Sequence, residues 1–169
     1  MCERLKEPGK LLCGIAWSSR NKKIGASKSL QLLEYLPILS LQSIKAVNLQ
    51  YGDVSDQITD FYKASGIQVH EIEDIDNTND IDALFSLIEA CDFIITTSNA
   101  TPHFAGAMNK ETFLLSPKVS GKLWYWKHRD DQGRSLWYPS VRIFDQTNTG
   151  DWSEPVEKIK SILENREIA

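Results

Sequence analysis

The alternation of short apolar runs with amphipathic segments constrains this chain more than any other feature. Leu11 to Trp17 (LLCGIAW) reads as a buried strand. Leu30, Leu33 and Leu36 then recur at helical spacing, with Ser29 as a cap and Pro37 as a kink or end. Ile44 to Gln50 predicts a second strand, followed by a helix with Ile58, Phe61 and Tyr62 on one face that closes at Gly66. Ile67 to Ile72 alternates as a third strand, and the next helix carries Ile81, Leu84, Phe85 and Ile88. Asp92 to Thr96 has the β-branched character of a strand buried on both faces. Thr101-Pro102 opens another helix, Thr101 as the cap and Pro102 at the first helical position. Thr112 to Leu115 and Val141 to Phe144 supply two more strands, and a last helix from about Ser153 turns Val156, Ile159, Ile162 and Leu163 inward. With right-handed crossovers, this pattern predicts an α/β, Rossmann-like, doubly wound and mostly parallel sheet of about six strands. One long irregular stretch, Ser116 to Pro139, interrupts it, and its aromatic residues argue against disorder.

The chain's 169 residues suit one domain, read as residues 11–169 behind a polar extension of residues 1–10. A net charge of −4 lacks the positive field of nucleic-acid binders, so no nucleic-acid partner is expected. Cys2, Cys13 and Cys91 form no C-x-x-C pair, and Cys13 and Cys91 read as reduced core thiols. No apolar run has transmembrane length, and the polar first ten residues do not read as a secretory signal, so the expected location is cytoplasmic. The sequon Asn99-Ala100-Thr101 then carries no meaning.

In a doubly wound sheet, ligands sit beyond the carboxyl ends of the strands, where strand order reverses. For the order 3-2-1-4-5-6 the reversal lies between the first and fourth strands. The loop after the first, Ser18 to Lys28, holds four cations and no acid. It carries neither G-x-G-x-x-G nor G-x-x-x-x-G-K-[ST]. It reads either as a solvated surface loop or as a phosphate-neutralising loop acting through Lys22, Lys23 or Arg20. The loop after the fourth, Thr97 to His103, leads into a helix N-terminus suited to an anion, with His103 in its first turn. His103 reads equally as a half-buried structural histidine. The acidic run Glu73 to Asp80 lacks the glycine and the final glutamate of a calcium loop, and reads as a turn and cap. Trp124, Tyr125, Trp126, Trp137, Tyr138 and Trp152 divide between ligand stacking and core filling, with Trp124 and Trp126 the candidates to stack on a base or sugar.

The segment Ile94 to Met108 (IITTSNATPHFAGAM) resembles the donor-site motif of heptosyltransferase-like glycosyltransferases, and more closely that of the transferase regions of bacterial tetratricopeptide-repeat proteins. Gly14-Ile15-Ala16-Trp17, Asn48-Leu49-Gln50-Tyr51-Gly52, Leu136 to Arg142 and Gly150-Asp151-Trp152 extend the resemblance in order over about Leu11 to Leu163. It implies the GT-B architecture, with this chain as the C-terminal, donor-binding half, a nucleoside diphosphate sugar as ligand, and no metal or other cofactor. By the same resemblance Ser98, Asn99, Thr101 and His103 stand at diphosphate or sugar contacts, Lys22 or Lys23 at the phosphate-facing loop, and Gln50 near the nucleotide. Ser98-Asn99 departs from the acid followed by threonine found in many members. The resemblance also implies an acceptor half carrying the catalytic base, for which residues 1–10 are no substitute. The expectation is a binding domain nearly inactive without an N-terminal acceptor or tetratricopeptide-repeat partner in cis or trans. Its rivals are a non-catalytic protein-interaction domain that retains the fold, and a small stand-alone α/β enzyme or nucleotide switch, for which no catalytic dyad speaks.

Overall fold

Six strands assemble where the apolar runs predict them, in a computed structural model that describes residues 5–72 and 75–166. They are β1 (Leu11–Ala16), β2 (Ile44–Asn48), β3 (Val69–His70), β4 (Phe93–Thr97), β5 (Thr112–Ser116) and β6 (Val141–Asp145). They form one sheet in the order β3-β2-β1-β4-β5-β6, and every neighbouring pair is parallel. The chain is therefore an α/β Rossmann-like fold whose strand order reverses between β1 and β4.

Alternation along the strands sends side chains to two cores. Cys13 and Ile15 of β1, with Phe93 and Ile95 of β4, face α1 (Leu36–Leu39), α2 (Ser55–Ser65) and α5 (Ser153–Glu164). Leu12, Ala16, Val47 and Ile94 face α3 (Ile81–Ala90) and α4 (Thr101–Ala107). Each fully buried large apolar side chain contributes roughly 1.5–3 kcal/mol relative to exposure. Leu5, inside the stretch read as an extension, is buried in the second core. Cys13 and Cys91 are buried, as expected of core thiols, and Cys2 lies outside the described residues. No helix among the described residues is long and apolar enough to cross a membrane.

Several local expectations change. The third strand keeps only two ladder residues, Val69 and His70, because a strand at the sheet edge has one partner and β2 meets it at Ala46 and Val47 alone. Ser29 is not a helix cap: its hydroxyl donates to the Gly25 carbonyl and accepts from the Ser19 N–H. A 3-10 turn over Leu32–Tyr35, with Gln31 and Glu34 as a capping box, runs directly into α1, and Pro37 lies in the first turn of α1 rather than ending a helix. Thr101 is the first residue of α4, while the Asn99 Oδ1 accepts its N–H at 2.9 Å. Tyr62 and Ile81 are exposed, and the unforeseen Leu87 takes a core place on α3. Gly66 closes α2 in the left-handed conformation, as its position predicts.

The acidic run is a turn and cap as read: Asp76 Oδ1 accepts from the Thr78 and Asn79 N–H groups, and Asp80 caps α3 through the Ala83 N–H. Glu73 and Asp74 of that run lie outside the described residues.

The crossover from β5 to β6 has no α-helix. Instead residues 117–140 cover the second face with a 3-10 turn, Trp124–Lys127, that buries Trp126 on Leu114, Val141 and Ile143. The same segment returns antiparallel along β6, where the Ser135 N–H donates to the Val141 carbonyl and the Ile143 N–H to the Gly133 carbonyl. Asp145 at the end of β6 anchors it by accepting from Lys122 and Arg129.

Candidate functional site

The first loop is held in place by polar side chains from β2 and β4. Gln50, just past β2, is buried, and its Oε1 accepts the N–H groups of Trp17 at 3.0 Å and Ser18 at 2.8 Å. Asn99, past β4, donates from Nδ2 to the Ser18 carbonyl at 3.1 Å while its Oδ1 serves α4. Asn21 Oδ1 accepts the Lys23 and Ile24 N–H groups, making a turn that projects Lys22 and Lys23 into solvent. Arg20 is also exposed, with its guanidinium over Gly52 and its N–H donating to the Tyr51 hydroxyl.

The fourth cation of the loop behaves differently. Lys28 is only 5% exposed. The Thr97 hydroxyl at the end of β4 donates to its carbonyl, and Gly121 of the long crossover packs against its stem. Among the described residues no carboxylate or hydrogen bond engages its ammonium. Burial alone pushes its pKa below the ordinary lysine value. The sequence reading passed Lys28 over in favour of the mid-loop cations. The signal available was its place at the tethered end of the loop, between Ser27 and Ser29 and just before the apolar Leu30.

His103 sits opposite, in the first turn of α4, half-buried in an aromatic enclosure. Trp126 stacks on it at 5.0 Å, Tyr125 meets it edge-on at 5.3 Å, and its Nδ1 lies 3.4 Å from the Tyr138 hydroxyl. Burial first, and then the charge of Lys28, hold its pKa below the usual histidine range. Sequence reasoning named His103 as a site residue, but Tyr125 and Tyr138 only among the aromatics divided between ligand stacking and core filling.

Ser98 and Thr101 are buried, and the Ser98 hydroxyl accepts from the Trp126 indole at 3.0 Å. Ser98, like Gln50, therefore shapes the crevice through internal partners. Trp126, a candidate for stacking on a ligand, has no exposed surface and stacks on His103 instead. Trp152 and Trp17 are core residues too, whereas Trp124 and Trp137 are 60% and 58% exposed. Beside the crevice, between Leu49, Tyr51, Ile81, Ala100 and Phe104, lies an apolar recess of about 200 Å³. A polar hollow of about 290 Å³ adjoins it past β2 and β3, lined by Asn48, Gln50, Glu71 and Asn77. A larger groove, about 490 Å³, lies away from these strand ends against α2.

His103 and His70 both have lowered pKa values, so the unfolded chain takes up protons that the folded chain refuses. Their contribution to stability is complete above the ordinary value of 6.5 and is lost as pH falls toward the lowered values. Urea midpoints measured near pH 7.5 and about pH 5.5 should fall less for His103→Gln than for the wild type. Equal falls would show that His103 is not the buried neutral group described.

No protein-family model matches the chain. It is 31% identical over 153 residues to Protein FlbA of Caulobacter vibrioides (strain ATCC 19089 / CIP 103742 / CB 15), a match covering 89% of this chain and 24% of FlbA. Among solved structures, the E. coli ADP-heptose LPS heptosyltransferase II superposes with a TM-score of 0.63 at 14% identity, over 96% of this chain and 50% of that one. The family 9 glycosyl transferase from Veillonella parvula DSM 2008 gives 0.55 at 8% identity, over 98% and 42%. The chain thus spans about a quarter of FlbA and half or less of the two transferases. The identities to the two transferases, 14% and 8%, speak to the fold alone, and the fold shared with them is Rossmann-like.

Proposed function

We propose that the chain is the donor-binding, C-terminal-type half of a GT-B glycosyltransferase and holds a nucleoside diphosphate sugar in the crevice between β1 and β4. The observation that carries this reading is Lys28, a buried side chain whose ammonium meets no anion among the described residues, at the point where strand order reverses. A cation partly stripped of water and left without a counter-ion favours an incoming anion. A diphosphate supplies that countercharge, and His103 stands near enough to Lys28 to add a donor.

In this arrangement Asn99 and Gln50 hold the first loop, Ser98 and Thr101 shape the floor, and Lys22 or Lys23 adds solvent-screened attraction from outside. The apolar recess and the polar hollow suit a nucleoside, and the exposed Trp124 ring suits stacking on a base or sugar. Side chains answer the diphosphate charge, so no metal or other cofactor is invoked. Acceptor recognition and the catalytic base belong to a second half or a tetratricopeptide-repeat segment, in cis or in trans, and the chain alone binds without appreciable turnover.

The test is calorimetric titration of the folded chain with UDP, GDP, ADP and their sugar conjugates. One of these should bind and be weakened by His103→Ala about tenfold, the scale of one charge-assisted hydrogen bond. Lys23→Ala should cost less, because its partner is shared with water. Trp124→Ala should leave folding stability within about 0.5 kcal/mol of wild type while lowering affinity for the conjugate or the nucleotide. No binding by any of the set sinks the proposal.

A second reading has its own observation. Trp124, Leu136 and Trp137 leave a cluster of apolar side chains on the surface, as protein-contact sites do. A protein-interaction domain would keep its partner when Lys28 and His103 are replaced and lose it when Trp124 and Trp137 are.

A further inference from the structure

We infer that Tyr138 fixes the tautomer of His103: its phenol donates to Nδ1, so the neutral imidazole carries its proton on Nε2. The structure brings the Tyr138 hydroxyl within 3.4 Å of Nδ1, with the two rings edge to face at 5.8 Å. Of the two possible directions for this bond, phenol to imidazole is the stronger. A phenol O–H is a more acidic donor than an imidazole N–H, and an imidazole nitrogen is a better acceptor than a phenol oxygen. The ring cannot turn freely to escape the arrangement. Trp126 stacks on it with an interplanar angle of 29°, and that indole is itself fixed by its bond to Ser98. Tyr125 closes a further side.

Tyr138 is equally constrained, because it lies against Gly106, one helical turn beyond His103. A Cβ at position 106 would stand 2.5 Å from Tyr138 Cγ and 2.8 Å from its Cβ, so any side chain there displaces the tyrosine. The glycine of α4 and the tyrosine before β6 thus form one device that aims a histidine. Lowering of the His103 pKa by burial and by Lys28 keeps the ring neutral, the only form in which a tautomer exists to be chosen.

The consequence rests on the donor-binding reading. His103 meets an anion as a fixed N–H donor, and Tyr138 is a positioning residue that need not touch the ligand. It gives His103 a part in holding a leaving diphosphate rather than in removing a proton from an acceptor.

The tautomer can be read without any ligand, by nitrogen NMR of the ligand-free chain labelled at its three histidines, with His103→Gln assigning the signals. The wild type should show His103 with a protonated Nε2 and an unprotonated Nδ1. Tyr138→Phe should introduce the opposite tautomer, and Gly106→Ala should do the same by moving the tyrosine. A wild-type His103 protonated at Nδ1 overturns the inference, even if both variants fail to fold. So does a folded Tyr138→Phe protein whose His103 signals do not move. A correct tautomer in a chain that binds no nucleoside diphosphate would leave this inference standing and sink the donor reading alone.

Discussion

Replacing Lys28 with methionine should weaken nucleoside diphosphate binding by about ten- to a hundredfold, the range of a hydrogen bond to a charged group. The same substitution should make the ligand-free chain more stable. Methionine keeps the buried stem and removes an ammonium that is partly desolvated and has no partner among the described residues. Relief of even about 1 kcal/mol would raise the melting temperature of a domain this size by roughly 2–4 °C. A pH signature separates this from generic repacking. The folded lysine has a lowered pKa while the unfolded one keeps its ordinary value of 10.5, so the unfolded chain binds the extra proton between the two. Wild-type stability should therefore rise with pH as 10.5 is approached from below, and Lys28→Met should lack that rise. A variant that binds normally, or that melts lower than wild type, would remove the central support for the donor reading.

Trp126→Ala should be one of the most damaging single changes to folding. Removing a fully buried indole costs about 3–5 kcal/mol, against a typical domain stability of roughly 5–15 kcal/mol. The loss strips the cover from Leu114, Val141 and Ile143, leaves the Ser98 hydroxyl without its donor and opens the enclosure around His103. Trp126→Phe keeps a ring on His103 and should cost less. Urea denaturation of the two variants beside Trp124→Ala tests the assignment. If the exposed and buried tryptophans of this one turn prove equally dispensable, the crossover does not pack as described.

The contrast between those two residues shows where sequence was informative. Strands β1, β2, β4 and β5 were legible because an interior strand buried on both faces must be nearly continuous in apolar residues, and β6, at the sheet margin, by its alternating Val141 and Ile143 with Phe144. The close of α2 at Gly66 was legible because few other residues take up a left-handed conformation without strain. β3 was over-read, since a period of two says which face a residue takes but not how far a single neighbour extends alongside. Trp124 and Trp126 are two positions apart in the same turn, and composition could not divide them. What does is the surface of β5 and β6, whose residues are distant in sequence. The site was half legible. His103 stood out by its place in the first turn of a helix, whereas Asn99 and Gln50 entered only through the family resemblance. Lys28 did not stand out, because its burial depends on Thr97 and Gly121, far along the chain on either side of β5.

The segment that returns along β6 also limits how this sheet can grow. One margin is occupied by residues 133–135, and at the other β3 offers only two residues for pairing. Neither margin presents a long row of free peptide groups on which another chain could add a strand. On the donor-binding reading proposed above, a companion half would join by side-chain contact rather than by extending the sheet, leaving a seam between two bodies. On that same reading, such a seam would open and close about a hinge, enclosing a ligand and letting it go without any strand leaving its ladder.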